Sequence, residues 1–175
     1  MTDRVVVRDA TPEDAQAIAV THIACWQEAY VDQLPQDFLD GLSDGVERRR
    51  EFWEAGARAP GDQEALLVAE VAGDVVGFAH IRPSRDALAE ETTGELSAIY
   101  LRKSYWGRGI GRRLLTEATD RLRACRFRDA TLWVLDTNER TRRFYEAAGW
   151  VLDGSEQPDQ IGDTSVREVR YRVTL

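Results

Sequence analysis

The chain is poor in the residues that build metal centres and disulfide frameworks: among 175 residues there are two cysteines, two histidines and one methionine. Cys25 and Cys125 lie far apart, and no Cys/His cluster has metal-ligand spacing, so no bound metal is expected. A lone cysteine pair with no secretion signal ahead of it reads as two reduced thiols serving as small apolar side chains. No long apolar run occurs, and Met1-Thr2-Asp3-Arg4 passes straight into Val5-Val6-Val7. Neither a signal peptide nor a membrane span is therefore expected, and the compartment reads as cytoplasm. Positive charge is also in deficit: 23 Lys and Arg stand against 31 Asp and Glu, a net charge of -8. That argues against nucleic acid or an anionic membrane as partner, since both need basic groups facing phosphates. It is compatible with a cationic small molecule or an amine. No repeat or low-complexity segment is visible. Neither His22 nor His80 sits in a Ser or Cys motif, which leaves hydrolysis by a triad without support.

What the chain does have is a core. Apolar residues make up 43%, five of them tryptophan, and 175 residues fit one domain spanning 1–175. A β-rich run at Arg4 to Arg8 precedes Thr11-Pro12-Glu13-Asp14, a helix start with a capping hydroxyl, a proline and two acids. Ala15, Ile18, Ala19, Ile23 and Trp26 then recur at helical spacing, to near Tyr30. A second helical stretch covers Pro35 to Ala55, broken near Leu42 to Gly45. Ala65 to Val71 and Val75 to Ile81 flank Ala72-Gly73-Asp74 and predict a hairpin. Glu95 to Leu101 predicts a further strand, and Ile110, Leu114, Leu115, Ala118 and Leu122 mark one helix face. Ala130 to Leu135 reads as a strand, and Asn138 to Ala148 as a helix stopped by Gly149. A loop holding Pro158 and Gly162 leads to a closing strand, Val166 to Val173. Three consecutive strands imply antiparallel pairing. The expected class is mixed α and β: one largely antiparallel central sheet with helices on both faces.

The densest local signal is Ile99-Tyr100-Leu101 followed by Tyr105-Trp106-Gly107-Arg108-Gly109-Ile110-Gly111-Arg112. Here a strand runs into a glycine-rich turn that opens a helix. Such a turn brings backbone N–H groups and the positive end of a helix dipole to an anion, and a pyrophosphate would fit there. Arg108 and Arg112 add charge. A tight turn with no ligand is the alternative on glycine spacing alone. The Walker pattern fails, because Arg112-Arg113 follow Gly111 where Lys-Ser/Thr is required. The dinucleotide fingerprint fails on both spacing and position.

These residues resemble the GCN5-related N-acetyltransferase superfamily, whose signature is Gln or Arg, two residues, Gly, one residue, then Gly or Ala. Gly109 and Gly111 match the glycine positions, while Trp106 stands where Gln or Arg is expected. A second block, Leu132-Trp133-Val134, Asn138 and Phe144-Tyr145-Glu146-Ala147-Ala148-Gly149-Trp150, resembles that family's strand, Asn and Tyr-bearing helix. The resemblance implies acetyl-CoA as co-substrate and an amine acceptor, either a small molecule or a protein or peptide amine; a homodimer is compatible with it. It further implies that Ile99, Tyr100 and Leu101 pair with the pantetheine amides, that the turn from Gly107 through Gly109, Ile110 and Gly111 to Arg112 holds the pyrophosphate, and that Asn138 lies beside the pantetheine arm. Tyr145 would lie near the sulfur and protonate the departing thiolate. Trp26, Tyr30 and Trp53 are candidates for the acceptor wall, although aromatics at helical spacing also build cores. An alkylammonium must lose a proton before it attacks, and Glu95, on the strand leading to the coenzyme, is the candidate base through a water. A structurally paired strand Glu95, with water alone as base, is the alternative. A non-catalytic acyl-CoA sensor on the same fold would need neither Tyr145 nor Glu95.

Overall fold

The computed structural model describes residues 4–175; Met1, Thr2 and Asp3, and with them the reading of the chain's first residues, lie outside it. Seven strands form one sheet: β1 (Val5–Asp9), β2 (Ala65–Val71), β3 (Asp74–Pro83), β4 (Thr93–Leu101), β5 (Asp129–Leu135), β6 (Val151–Ile161) and β7 (Thr164–Thr174). Their order in space is β1-β2-β3-β4-β5-β7-β6. Every neighbouring pair is antiparallel except β4 and β5, which run parallel. The helices are α1 (Ala15–Ala29), α2 (Gln36–Gly41), α3 (Val46–Arg58), α4 (Ile110–Ala124) and α5 (Glu139–Glu146). The mixed, largely antiparallel sheet is the class expected from the sequence.

The helices cover both faces, and the strand sequences show why. β2 reads Ala-Leu-Leu-Val-Ala-Glu-Val with six of its seven residues buried, a near-continuous apolar run of the kind a strand covered on both sides requires. Leu66, Val68 and Phe78 face Ile18 and Ala19 of α1 and Trp53 of α3. Leu67, Ala69 and Ile81 face the other way, onto Leu114, Ala118 and Leu122 of α4. Each leucine buried in this way contributes roughly 1.5–3 kcal/mol relative to leaving it in water. The start of α1 is fixed by charge as well as by capping. The Asp14 carboxylate accepts from the Thr11 N–H at 2.8 Å and from Arg8 Nη1 at 2.7 Å, and Arg8 also reaches Glu70 on β2 at 2.9 Å.

One expectation is corrected. The segment before the last strand, expected as a loop around Pro158, is the eleven-residue strand β6, so the sheet has seven strands where six were expected. The strand is mostly exposed and lacks the alternation that marks a half-buried strand. It sits at the sheet's edge, where a proline costs no ladder hydrogen bond on its open side. Pro158 is paired there opposite Arg167.

His22 lies against Tyr100, Phe78, Trp53 and Trp26, with ring centroids 4.7, 5.5, 6.0 and 6.4 Å away. Burial lowers its pKa to about 4, so it is a neutral core aromatic at pH 7.

Two glycines predict opposite effects. A methyl at Gly94 on β4 would meet Leu122 Cδ2 at 2.5 Å and Phe127 Cδ2 at 2.7 Å, both on buried side chains. Gly94→Ala should therefore cost about 1–3 kcal/mol. Gly56, inside α3, has nothing within 4 Å of such a methyl, and Gly56→Ala should stabilise by about 0.5–1 kcal/mol. Urea unfolding of both variants checks the pair; equal effects would contradict the packing described.

Candidate active site

The site begins where β4 and β5 separate. They pair only at Thr93–Asp129, Gly94–Ala130 and Glu95–Thr131. Beyond Glu95, β4 continues alongside β3 alone, as far as Gly77 opposite Leu101. Its other edge is left with unpaired backbone groups, the arrangement an extended ligand completes by adding itself as a strand. A bulge accompanies the parting: Ala98 faces His80 and Leu96 faces Ile81, which leaves Ser97 as the extra residue.

Below this edge lies a cavity of about 970 Å³, at the upper end of the usual ligand range. It runs between β4, the α4 turn, β5 and α5, and reaches the end of α1 and strands β6 and β7. Among the expected site residues, Glu95, Ile99, Tyr100, Leu101, Gly107, Gly109, Gly111, Arg112, Asn138, Tyr145, Trp26 and Tyr30 all line it. Three others do not. Arg108 is exposed, with its guanidinium 5.2 Å from the Tyr105 ring centroid. Ile110 is buried in the core under α4. Trp53 packs against Phe78 and His80 at 5.0 and 5.7 Å, on the far side of β3 from α4.

At the glycine turn, Gly107 and Gly109 have φ of +75° and +77°, a region that side chains with a Cβ rarely adopt. A Cβ at either position would meet nothing within 4 Å, so both glycines border open space. Gly109 is the N-cap of α4 and has no side chain to cap it. The first amide to find a carbonyl within the helix is that of Arg113, bonded to Gly109 O at 3.1 Å. The amides of Ile110, Gly111 and Arg112 are thus free for an anion at the positive end of a fifteen-residue helix. A diphosphate fits this cradle.

Trp106, at the position where the family's signature has Gln or Arg, has a structural task. Its indole Nε1 donates to Leu101 O at 2.8 Å, tying the turn to the end of β4. The Arg140 guanidinium lies 4.2 Å from the Trp106 ring centroid, within cation–π range. Arg112 and Arg140 line the cavity, as does Arg143, which pairs with Glu139 at 2.7 Å, so arginines gather there in a chain of net charge -8. Sequence reasoning missed Arg140 and Arg143. The basic run Arg140-Thr141-Arg142-Arg143 was the available signal, but which of its members face the cavity depends on how α5 docks.

Deeper in, Tyr145 of α5 is buried beside Phe144, Trp150 and Tyr171. Burial, reinforced by the neighbouring phenols of Tyr100 and Tyr30, pushes its hydroxyl well above the usual tyrosine range, so it stays protonated. Tyr100 is raised for the same reason, and its hydroxyl accepts from Trp26 Nε1 at 3.1 Å. Glu95 is buried, and its carboxylate accepts from the Arg85 N–H at 3.0 Å and from Arg85 Nη2 at 2.8 Å. The loop carrying Arg85 is itself pinned: Asp86 accepts from Trp133 Nε1 and from Arg170 Nη1, both at 2.9 Å. Glu95 is therefore a paired strand carboxylate that also lines the cavity. Asn138 is the N-cap of α5, its Oδ1 accepting from the Thr141 N–H at 3.3 Å.

A splayed parallel strand pair, an uncapped glycine turn and a buried tyrosine on the facing helix define the class of protein. The chain belongs to the acetyltransferase (GNAT) family, whose model matches residues 23–150. It is 31% identical over 134 residues to an uncharacterized N-acetyltransferase, YuaI, of Bacillus subtilis, covering 77% of this chain and 73% of that protein. Its fold is similar to that of the PaiA N-acetyltransferase of Thermoplasma acidophilum, solved in complex with coenzyme A (TM-score 0.77, 17% identity, 98% of this chain and 99% of that one). It is also similar to yncA of Salmonella typhimurium, solved with its cofactor acetyl-CoA (TM-score 0.70, 19% identity, 97% and 93%). Among the described residues, no helix is long and apolar enough to cross a membrane, and no three His, Cys, Asp or Glu are grouped to hold a metal.

Asn138 offers a test of the cap. Asn138→Ala should destabilise by about 1 kcal/mol, and Asn138→Ser should recover most of that loss. Thermal unfolding checks the order; an Ala variant as stable as the parent would show that the cap contributes nothing.

Proposed function

We propose that this chain transfers the acetyl group of acetyl-CoA to a primary amine, by direct attack within a ternary complex. The observation that carries the reading is the continuity of one cavity, from the uncapped glycine turn past the open β4 edge to the Tyr145 side chain. The coenzyme named for two of the structural neighbours fits that shape. The amides of Ile110, Gly111 and Arg112 would hold the diphosphate, with Arg112, Arg140 and Arg143 supplying positive charge. The open edge at Ile99 to Leu101 would pair with the pantetheine amides, beside Asn138. The free thiols Cys25 and Cys125 fit a reducing compartment, the cytoplasm.

Acetyl-CoA supplies a thioester carbonyl, and the remaining work falls to the protein. Tyr145 is the acid. Its phenol is protonated at working pH because burial disfavours the phenolate; it donates to the sulfur as the C–S bond breaks, and the proton the thiolate takes up is balanced by the one the attacking nitrogen loses in forming the amide. Glu95 is the base, acting through water on the acceptor ammonium, with Arg85 positioning it at 2.8 Å. Trp26 and Tyr30 form one wall of the acceptor end.

Tyr145→Phe keeps the ring and its packing but removes the acid. Acetyl-CoA affinity and stability should change little, while turnover falls by roughly 10²–10⁴. Calorimetry and thiol release measure the two. Full activity in the Phe variant would remove Tyr145 from the chemistry, and absence of amine-dependent thiol release from the parent over a broad amine panel would favour a sensor.

Glu95→Gln should slow the reaction most near neutral pH and recover partly at high pH, where free amine is available without help. A pH–rate profile parallel to the parent's would leave Glu95 as a partner of Arg85 only and pass the proton directly to water.

A further inference from the structure

The charged side chains of β7 have an imbalance. Arg167 is paired with Asp136 at 2.9 Å, Arg170 with Asp86 and Asp153 at 2.9 and 2.7 Å, and Arg172 with Asp129. Glu168, on the same strand, has no cationic partner within 4 Å among the described residues; its carboxylate accepts from Gln157 Nε2 at 2.8 Å. It is half-buried and lines the cavity, in a cross-strand row with Leu135 on β5 and Gln157 on β6. Burial pushes its pKa up, the Gln157 amide opposes that, and the neighbouring Asp159 carboxylate, which lines the same cavity, adds to it. Trp26 and Tyr30, the proposed acceptor wall, line the same cavity as Glu168.

An unpaired carboxylate facing a cavity fits a positive charge brought by a ligand. The rings of Trp26 and Tyr30, with centroids 5.0 Å apart, offer faces that also favour a cation. With the proton of the reacting nitrogen assigned to Glu95, the charge left for Glu168 is a second one elsewhere on the acceptor. Glu168 suits a charge that persists through the transfer.

We propose that Glu168 seats a second positive charge on the acceptor, so that this site selects dicationic aliphatic amines over monocationic ones and over amino acids, whose carboxylate it repels. This rests on the acetyl-transfer reading for the identity of the reacting group, but the charge selection can be measured without it. Glu168→Gln keeps an oxygen for Gln157 and removes the charge.

Three acceptors of matched length separate the contributions: 1,5-diaminopentane, n-pentylamine and 6-aminohexanoate. The parent should prefer the diamine by about tenfold or more in kcat/KM, as expected of a partly desolvated charge pair. In Glu168→Gln that preference should collapse through KM, with kcat and the KM for acetyl-CoA unchanged. Calorimetry with coenzyme A-saturated protein should show the diamine binding the parent more tightly than the variant. A preference that survives in the variant, or a parent that favours n-pentylamine or 6-aminohexanoate, overturns the proposal. Diamine binding that depends on Glu168 without any acetylation would uphold it while removing the transfer reading. Acetylation of all three amines without preference would do the reverse, and neither binding nor turnover of the diamine would overturn the proposal outright.

Discussion

Three residue pairs hold β4 to β5, and everything functional in the molecule follows from their stopping after Glu95 and Thr131. The short parallel contact is secured from several directions. Thr93 donates to Asp129 at 2.8 Å, Arg172 pairs with the same carboxylate, and the Arg128 N–H reaches Thr92 O at 2.8 Å. Leu122 and Phe127 close over Gly94, where no side chain could fit without displacing them. With the lower end fixed, β5 is committed to β7 over its whole length and β4 to β3. Above that point the strands diverge while each keeps its ladder on the other side. The wedge between them exposes backbone groups that a sheet would otherwise consume.

The rest of the site is arranged around that wedge. The turn after β4 must reverse into α4 within a few residues, and two left-handed glycines make this geometrically cheap while leaving the helix start uncovered. Trp106 anchors the turn to Leu101 O and serves as a platform for Arg140, so α4 and α5 meet across the opening without filling it. Electrostatically the cavity is polarised. Arginines gather at the end nearest the helix start, and unpaired carboxylate at the end nearest β6 and β7. Neither is visible in a net charge of -8, because a whole-chain sum carries no information about where the charges lie.

Burial and pairing divide the two glutamates of the cavity. Glu95 is held by Arg85, whose loop is pinned through Asp86 to Trp133 and Arg170. Glu168 has an amide donor only. The same residue type thus has different chemistry available, set by which loop or strand brings an arginine within reach. The tyrosines follow the same logic: Tyr30, Tyr100 and Tyr145 are all pushed up by desolvation, which keeps each a proton donor.

What the sequence by itself determined was local. The faces of α1 and α4, the β2–β3 hairpin, the glycine turn and the Asn138-to-Tyr145 helix could be read directly, because turn chemistry and helical period are carried by neighbours in the chain. The family's two blocks lie in those same segments, so the β4, α4-turn and α5 residues that line the cavity were legible in the sequence. Strand β6 was not, since an exposed edge strand has no apolar alternation to announce it. Nor were the Arg85 pairing of Glu95, the task of Trp106, the burial of Trp53 away from the cavity or the half-buried position of Glu168 between Gln157 and the cavity. Each depends on register between strands or on helix docking, which brings together residues separated by tens of positions. Only the tertiary structure decides such meetings, because a shift of one residue along a strand turns every side chain to the opposite face.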